Sequence, residues 1–303
     1  MERLPKIRQM QLFMQIVRSG SIRAAGRDLG MSQPGVSRTI RELEQLIGAQ
    51  LFLRDSDGVI LTEAGKAFSL RVEWILSELT RATSEVEQIN NYSHGVMNIG
   101  SSTLLMMTAL PDITSSFLDV FPYINLNIKE GQLSTLLPLV RNGELDLAVG
   151  SVEPTANLDD VSIEPLLTAS FSIVCRKGHP LEQARSLAEL QDAKWLLPEL
   201  NIGYYHSLQE EFREFYSTLN KKMIRTDSLI CALNMVLYSD YLTIIARATE
   251  DSLYLGKYLS VVPVSHLLPS ANYYILWSGR SALTMPAQRF IQILKDKTSK
   301  RAW

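Results

Sequence analysis

The chain has 303 residues, 46% hydrophobic and 20% charged, with two cysteines and a formal net charge of −2. That length suits two or three domains with real cores, and two cysteines exclude a disulfide framework, pointing to a reducing compartment. No run approaches ~18 apolar residues, which excludes a membrane-spanning helix, and "MERLPKIRQMQLF" lacks the apolar core of a secretion signal, so a cytoplasmic protein is expected.

The charge is unevenly divided. Met1 to Arg41 holds eight basic and two acidic residues, a net of +6, which leaves −8 for the remainder. This asymmetry implies a polyanion-binding module joined to an acidic body.

In chain order, apolar residues at Ile7, Met10, Phe13, Met14 and Val17 mark one face of a first helix, ended by Gly20. Ser21 caps a second, with Ile22, Ala25 and Leu29 inward and the small pair Ala24-Ala25 permitting close packing. Ser32 caps a third, whose first turn holds Pro34 and whose buried stripe is Val36, Ile40, Leu43 and Ile47, with Leu46 beside it. "LFLRDSDGVILT" reads as a hairpin around an Asp-Gly turn. Three helices and a hairpin make a winged helix-turn-helix, expected over residues 1–62.

Residues 63–91 form a long helix opened by Thr62. Phe68, Val72, Ile75, Leu79, Ala82, Val86 and Ile89 alternate by four and three, a heptad seam suited to pairing with a second copy. The alternative is packing against the chain's own C-terminal part. "NYSHG" ends the helix, and from Gly95 strands alternate with helices. That pattern implies parallel sheets with right-handed crossovers over residues 95–303. The first subdomain is expected over about 95–167 plus 269–303, and the second over about 168–268.

The third helix carries Gln33, Pro34, Ser37, Arg38 and Arg41 on the face opposite Val36 and Ile40. A helix of this kind fits the major groove of duplex DNA. There Gln can bridge adenine, Arg can bridge guanine, and Pro can touch a thymine methyl. Ser32, Ser37 and the first N–H groups can bind phosphate. The bland alternative is a solvated, ordinarily capped helix start.

A resemblance joins these residues. "F-x-x-I-V-x-S-G-S-I-x-x-A-A-x-x-L-x-M-S-Q-P-G-V-S-R-x-I-x-x-L-E-x-x-I-G-x-x-L-F-x-R…L-T-E-A-G" is similar to the LysR-type transcriptional regulators. The match is dense from Ile7 to Lys66 and returns as "G-Q-L…L-x-x-G-E-L-D-L-A-V-G" at Gly131 to Gly150. The resemblance implies a winged helix, a linker helix and two Rossmann-like subdomains like those of periplasmic binding proteins. It also implies a homodimer through the linker helix, assembled into a homotetramer, with double-stranded DNA, a small-molecule effector and RNA polymerase as partners. Gln33, Pro34, Ser37 and Arg38 match base-reading positions, Arg54 matches a wing arginine entering the minor groove, and Thr62 matches the linker-helix cap. Arg54 could instead pair with Asp55 or Asp57. One departure is "SDYLTII" at Ser239–Ile245, where many relatives have a glycine-rich "G-x-G-I"; with "NIGYY" it resembles a branch regulating amino-acid and related catabolic operons.

An effector in such a fold sits at carboxyl ends of strands, near helix starts. Candidates in the first subdomain are Ser101, Ser102 and Thr103, with Gln132, Ser134 and Thr135. In the second they are Asn201, Tyr204 and Tyr205, with Thr226, Asp227 and Ser228. Their hydroxyls and N–H groups suit a small carboxylate or zwitterion, although each Ser, Thr or Asp could simply cap a helix. Asp227 could also pair with an amine.

No Walker-type loop, GxGxxG or HExxH occurs, and His94, His179, His206 and His266 lack metal-ligand spacing, so no cofactor or metal is expected. Cys175 lies in strand-like "FSIVCR" and Cys231 on an apolar helix face; a redox switch using both is the alternative to two inert thiols. The leading expectation is a transcription regulator gated by a small molecule. The other is a solute-binding protein or enzyme with an N-terminal assembly module.

Overall fold

A computed structural model describes residues 4–55, 58–91, 95–152, 156–197, 223–226, 228–249, 255–264, 268, 270–280 and 282–303. The chain forms two compact units, Met1–Tyr92 with Arg141–Glu144, and Ser93–Val140 with Leu145–Trp303.

The first unit begins with α1 (Ile7–Ser19), α2 (Ile22–Asp28) and α3 (Gln33–Ile47). The wing, β1 (Phe52–Asp55) and β2 (Gly58–Leu61), pairs antiparallel with Phe52 opposite Leu61. α4 (Glu63–Asn91) follows. Leu12, Phe13, Ile16, Val36, Leu43 and Leu51 are fully buried, and the Phe13 ring lies 5.1 Å from both Phe52 and Phe68. These contacts weld helices and wing into one core.

Local chemistry sets each boundary. Gly20 adopts φ 63° and stops α1, and the Ala24 N–H donates to Ser21 Oγ at 3.3 Å to start α2. Ala25 and Gly26 are the buried small residues of α2, with Ala24 half-buried beside them. A Cβ on Gly26 would lie 2.9 Å from the Met31 carbonyl oxygen. Leu29, expected inward, is 41% exposed. α2 ends at Asp28, and Leu29 leaves helical geometry at φ −99°, ψ 6°, so its side chain departs from the inward stripe.

Thr62 joins wing to α4. Its Oγ1 donates to the Gln50 carbonyl at 2.7 Å and accepts from the Gly65 N–H at 2.9 Å. The expected seam on α4 also needs correction. Val72 is fully buried and Phe68 partly buried in the core of the first unit, whereas Ile75 and Leu79 are 40% exposed and Val86 57%. The unpartnered stripe therefore starts at Ile75, because the helix spends its first turns closing the domain below it.

The second unit contains two five-stranded sheets. The first has order β4-β3-β5-β12-β6, built from β3 (Gly95–Ser101), β4 (Ile124–Glu130), β5 (Leu147–Ser151), β6 (Val161–Ala169) and β12 (Ala271–Ser278). The second has order β11-β7-β10-β8-β9, built from β7 (Phe171–Arg176), β8 (Lys194–Leu197), β9 (Met223–Arg225), β10 (Tyr241–Ala246) and β11 (Leu259–Val261).

Both sheets are mixed, where all-parallel sheets were expected. β3 runs parallel to β4 and β5, and β8 runs parallel to β9 and β10. β12 is antiparallel to β5 and β6, while β7 is antiparallel to β10 and β11. β6 and β12 carry the chain between halves without a crossover helix, so nothing forces them parallel.

Helices cover both faces of the first sheet. The single helix expected up to Phe121 is two, α5 (Thr103–Met107) and α6 (Leu110–Val120), with Pro111 starting the second. Phe117 on α6 meets Phe290 on the C-terminal helix Met285–Ser299 at 5.3 Å, while α7 (Leu133–Arg141) buries Leu136 and Val140. In the other half, helix Leu229–Tyr238 lays Leu233 and Val236 on Val174 and Ile245. Ser170 joins β6 to β7, and its Oγ donates to the Trp303 main-chain oxygen at 3.0 Å; Trp303 packs on the cores of both halves. Among the described residues, no helix is long and apolar enough to cross a membrane.

Candidate DNA-reading face and effector cavity

On α3 the Gly35 N–H donates to Ser32 Oγ at 3.3 Å, Pro34 occupies the first turn, and Val36, Ile40 and Leu43 are buried. Ser32, Gln33, Pro34, Arg38 and Arg41 are exposed on the opposite side, with Ser37 half-buried. The Arg38 Nε sits 2.9 Å from Glu42 Oε1, but its side chain is 83% exposed. An exposed pair of this kind is worth roughly 0–1 kcal/mol, so the guanidinium can exchange Glu42 for a base edge at small cost. Arg54 lies opposite Val59 in the wing, and its side chain falls outside the described residues, as does Asp57. The Val59 N–H donates to the Gly20 carbonyl at 3.1 Å, fixing the wing against the α1–α2 turn.

In the second unit a cavity of about 130 Å³ opens where β3, β4 and β5 face β8, β9 and β10 across their carboxyl ends. Ser102, Thr103 and Gln132 line it from the first half, and Thr226 and Ser228 from the second. Ser101, Ser134 and Thr135 do not. Ser101 is 2% exposed within its strand, and Thr135 closes its own turn by donating to the Gln132 carbonyl at 2.8 Å. Asn201, Tyr204, Tyr205 and Asp227 lie outside the described residues.

Some of these side chains are already engaged. Thr103 Oγ1 donates to Glu130 Oε1 at 2.6 Å, and Ser228 Oγ accepts from the Cys231 N–H at 3.2 Å as a helix cap. Ser102 differs. It stands in the N-cap position of α5 yet makes no capping bond, and its buried Oγ has no partner among the described residues. Buried hydroxyls are ordinarily hydrogen-bonded, so this Oγ is the lining hydroxyl with bonding capacity to spare for a ligand.

Sequence reasoning missed Ser151, Phe171, Thr243, Thr249 and Tyr273, all in the lining. Ser151 ends β5 just as Ser101 ends β3, so the strand-end rule could have found it. Thr243 is a polar residue in the apolar run "YLTIIA", a weaker signal. Phe171 and Tyr273 begin or follow strand starts and gave none. Tyr273 is 5% exposed, and burial pushes its phenol well above the ordinary value of 10.

Cys175 is not poised for oxidation. Cys175 is fully buried, and burial, reinforced by Glu182, pushes its thiol up to about 11. The reactive thiolate is therefore scarce at neutral pH. Cys231 is exposed.

A winged helix-turn-helix joined to a two-lobed, cavity-bearing α/β unit defines the class of ligand-responsive transcription regulators. Residues 7–66 match the bacterial regulatory helix-turn-helix proteins of the lysR family, and residues 90–299 match the LysR substrate binding domain. The chain is 30% identical over 296 residues to the HTH-type transcriptional regulator TdcA of Escherichia coli, covering 98% of this chain and 94% of TdcA. Among solved structures, CbnR complexed with its target DNA superposes with a TM-score of 0.69 at 15% identity, over 96% of this chain and 99% of CbnR. Full-length OxyR from Pseudomonas aeruginosa gives 0.66 at 19% identity, over 98% and 95%. These two likenesses concern the fold. The chain belongs to the LysR family of transcriptional regulators. It is a DNA-binding regulator with a small-molecule effector domain, and a solute-binding or enzymatic role with a mere assembly module is not favoured.

Proposed function

We propose that residues 1–62 read operator DNA through Gln33, Pro34, Ser37 and Arg38, with Ser32 and Arg41 on phosphates and Arg54 in the minor groove. Residues 63–91 join two chains, and the dimers pair into a tetramer in the cytoplasm. Residues 95–303 bind the effector between a first lobe, about 95–167 plus 269–303, and a second, about 168–268. The observation that carries this reading is the exposed polar strip of α3, held opposite Val36, Ile40 and Leu43 by a capped first turn. A ligand contacting both lobes stabilises only the arrangement in which they approach, so it shifts that equilibrium by its differential affinity. The shift re-spaces the DNA-reading pairs and so alters contact with RNA polymerase.

The test is a footprint on DNA upstream of the protein's own gene. Protection of two half-sites in the same groove phase, about 10 base pairs or a multiple apart, is expected. A single unphased patch, or equal protection of unrelated DNA, would overturn it.

A further inference from the structure

The two lobes of the second unit are joined by more than the chain that passes between them. One passage is Ser170, between β6 and β7, and β11 and β12 flank the other. The two lie side by side, because Ala169 pairs with Ala271 and both are buried in the second lobe's core. The Ser170 carbonyl accepts from the Arg247 N–H at 2.9 Å, which fixes the first passage to that lobe.

A third tie comes from the residues after the helix Met285–Ser299. Arg301 reaches Asp112 on α6 at 2.5 Å, and the Trp303 indole N–H donates to the Thr298 carbonyl at 2.8 Å, so this segment is carried by the first lobe. Its contacts extend beyond that lobe. Trp303 packs against both cores, and its main-chain oxygen accepts from Ser170 Oγ at 3.0 Å. It lies outside the cavity lining. A rotation of one lobe against the other bends the chain at Ser170, so it must slide the second core across a rigid indole or part Ser170 from Trp303. Close-packed junctions have discrete arrangements rather than a continuous range. Contacts made at one lobe angle alone favour that angle by their differential free energy.

We propose that Trp303, together with Ser170, is a latch at the hinge between the lobes, holding their present angle and setting what an effector must overcome to change it. This rests on the reading that the lobes move against each other when an effector binds.

Spin labels on the full chain test this. Gln292→Cys in the first lobe and Asp192→Cys in the second, both exposed, are labelled in a Cys231→Ser background, while the fully buried Cys175 stays unlabelled. Labelled chains are diluted into an excess of unlabelled ones, so that only distances within one chain are read. One narrow distance is expected when Trp303 and Ser170 are native. Trp303→Ala should add a second distance and speed exchange of the Arg247 amide by about tenfold or more, with exchange in β3 unchanged. Ser170→Ala removes one hydrogen bond and leaves the packing, so it should speed that exchange several-fold even if Trp303→Ala folds poorly. Native distances and native exchange in both variants would overturn the latch. Faster exchange with a single, unchanged distance would overturn it too, since that marks local fraying. A second lobe distance with an unchanged operator footprint would uphold the latch and overturn instead the coupling of lobe angle to DNA spacing.

Discussion

Ile75→Lys with Leu79→Lys is expected to break the protein into smaller species and to remove its footprint. α4 runs for 29 residues, and Ile75, Leu79, Ala82 and Val86 recur on it by four, three and four. Ile75 and Leu79 are 40% exposed, and Val86 57%. Full burial of each Ile or Leu contributes about 1.5–3 kcal/mol, so four such side chains across a dimer offer several kcal/mol of association. Lysines at these places remove that gain and set like charges against each other with no partner to compensate. A chain no longer paired through α4 holds one half-site only and loses the joint affinity of two linked modules, a factor of about 10² or more. Leu70, 58% exposed on the other side of α4, provides the control. Leu70→Lys should leave sedimentation unchanged. Should the double variant sediment like the native chain, the stripe does not join copies.

Gly65→Ala is expected to unfold the DNA-reading unit far below the melting temperature of the native chain. A Cβ at this position would lie 2.1 Å from the Leu51 carbonyl oxygen and 2.9 Å from Leu61 Cδ2. The carbonyl cannot yield easily. It accepts from the Thr62 N–H at 3.0 Å, Leu51 is fully buried, and the Leu51 N–H donates to Glu44 Oε1 at 2.8 Å. Moving it breaks the joint between α3, the wing and α4 together. Overpacking of this kind costs roughly 3 kcal/mol, or about 10–20 °C in a domain of this size. Gly35→Ala is the contrast. Its Cβ would meet only Ser32 Oγ, at 3.2 Å, and alanine is the better helix former, so stability should be nearly unchanged. Calorimetric melting of both variants decides it. Equal melting temperatures would mean that α4 and the Leu51 turn are not held this closely.

The contrast between these glycines shows what the sequence can and cannot say. Periodicity and caps marked α1 to α3, because Val36, Ile40 and Leu43 recur at helical spacing and Ser21 and Ser32 stand where caps stand. Nothing local distinguishes Phe68 and Val72 from Ile75 and Leu79; only the folded core of the first unit separates the two they join from the two they leave exposed. β6 went unread for a similar reason. Pro165 interrupts its pattern, yet β6 is an edge strand, and opposite Tyr273/Tyr274 the register slips so that Tyr273 pairs with Leu167 and Tyr274 with Pro165. An edge strand with a bulge tolerates a proline that a central strand would reject. In the cavity, the strand-end rule found Ser102 and Gln132. It could not find Phe171 or Tyr273, which reach the lining from β7 and β12, the strands next to the two passages between the halves.

The most direct trial of α3 as the base-reading helix is competition for the operator against scrambled DNA, with Gln33→Ala and Arg38→Ala compared to the native chain. Each should lose about 1–3 kcal/mol on operator DNA per base contact removed, and far less on the scrambled sequence, so the specificity ratio falls. Equal losses on both DNAs would contradict this and leave Gln33 and Arg38 as phosphate contacts only.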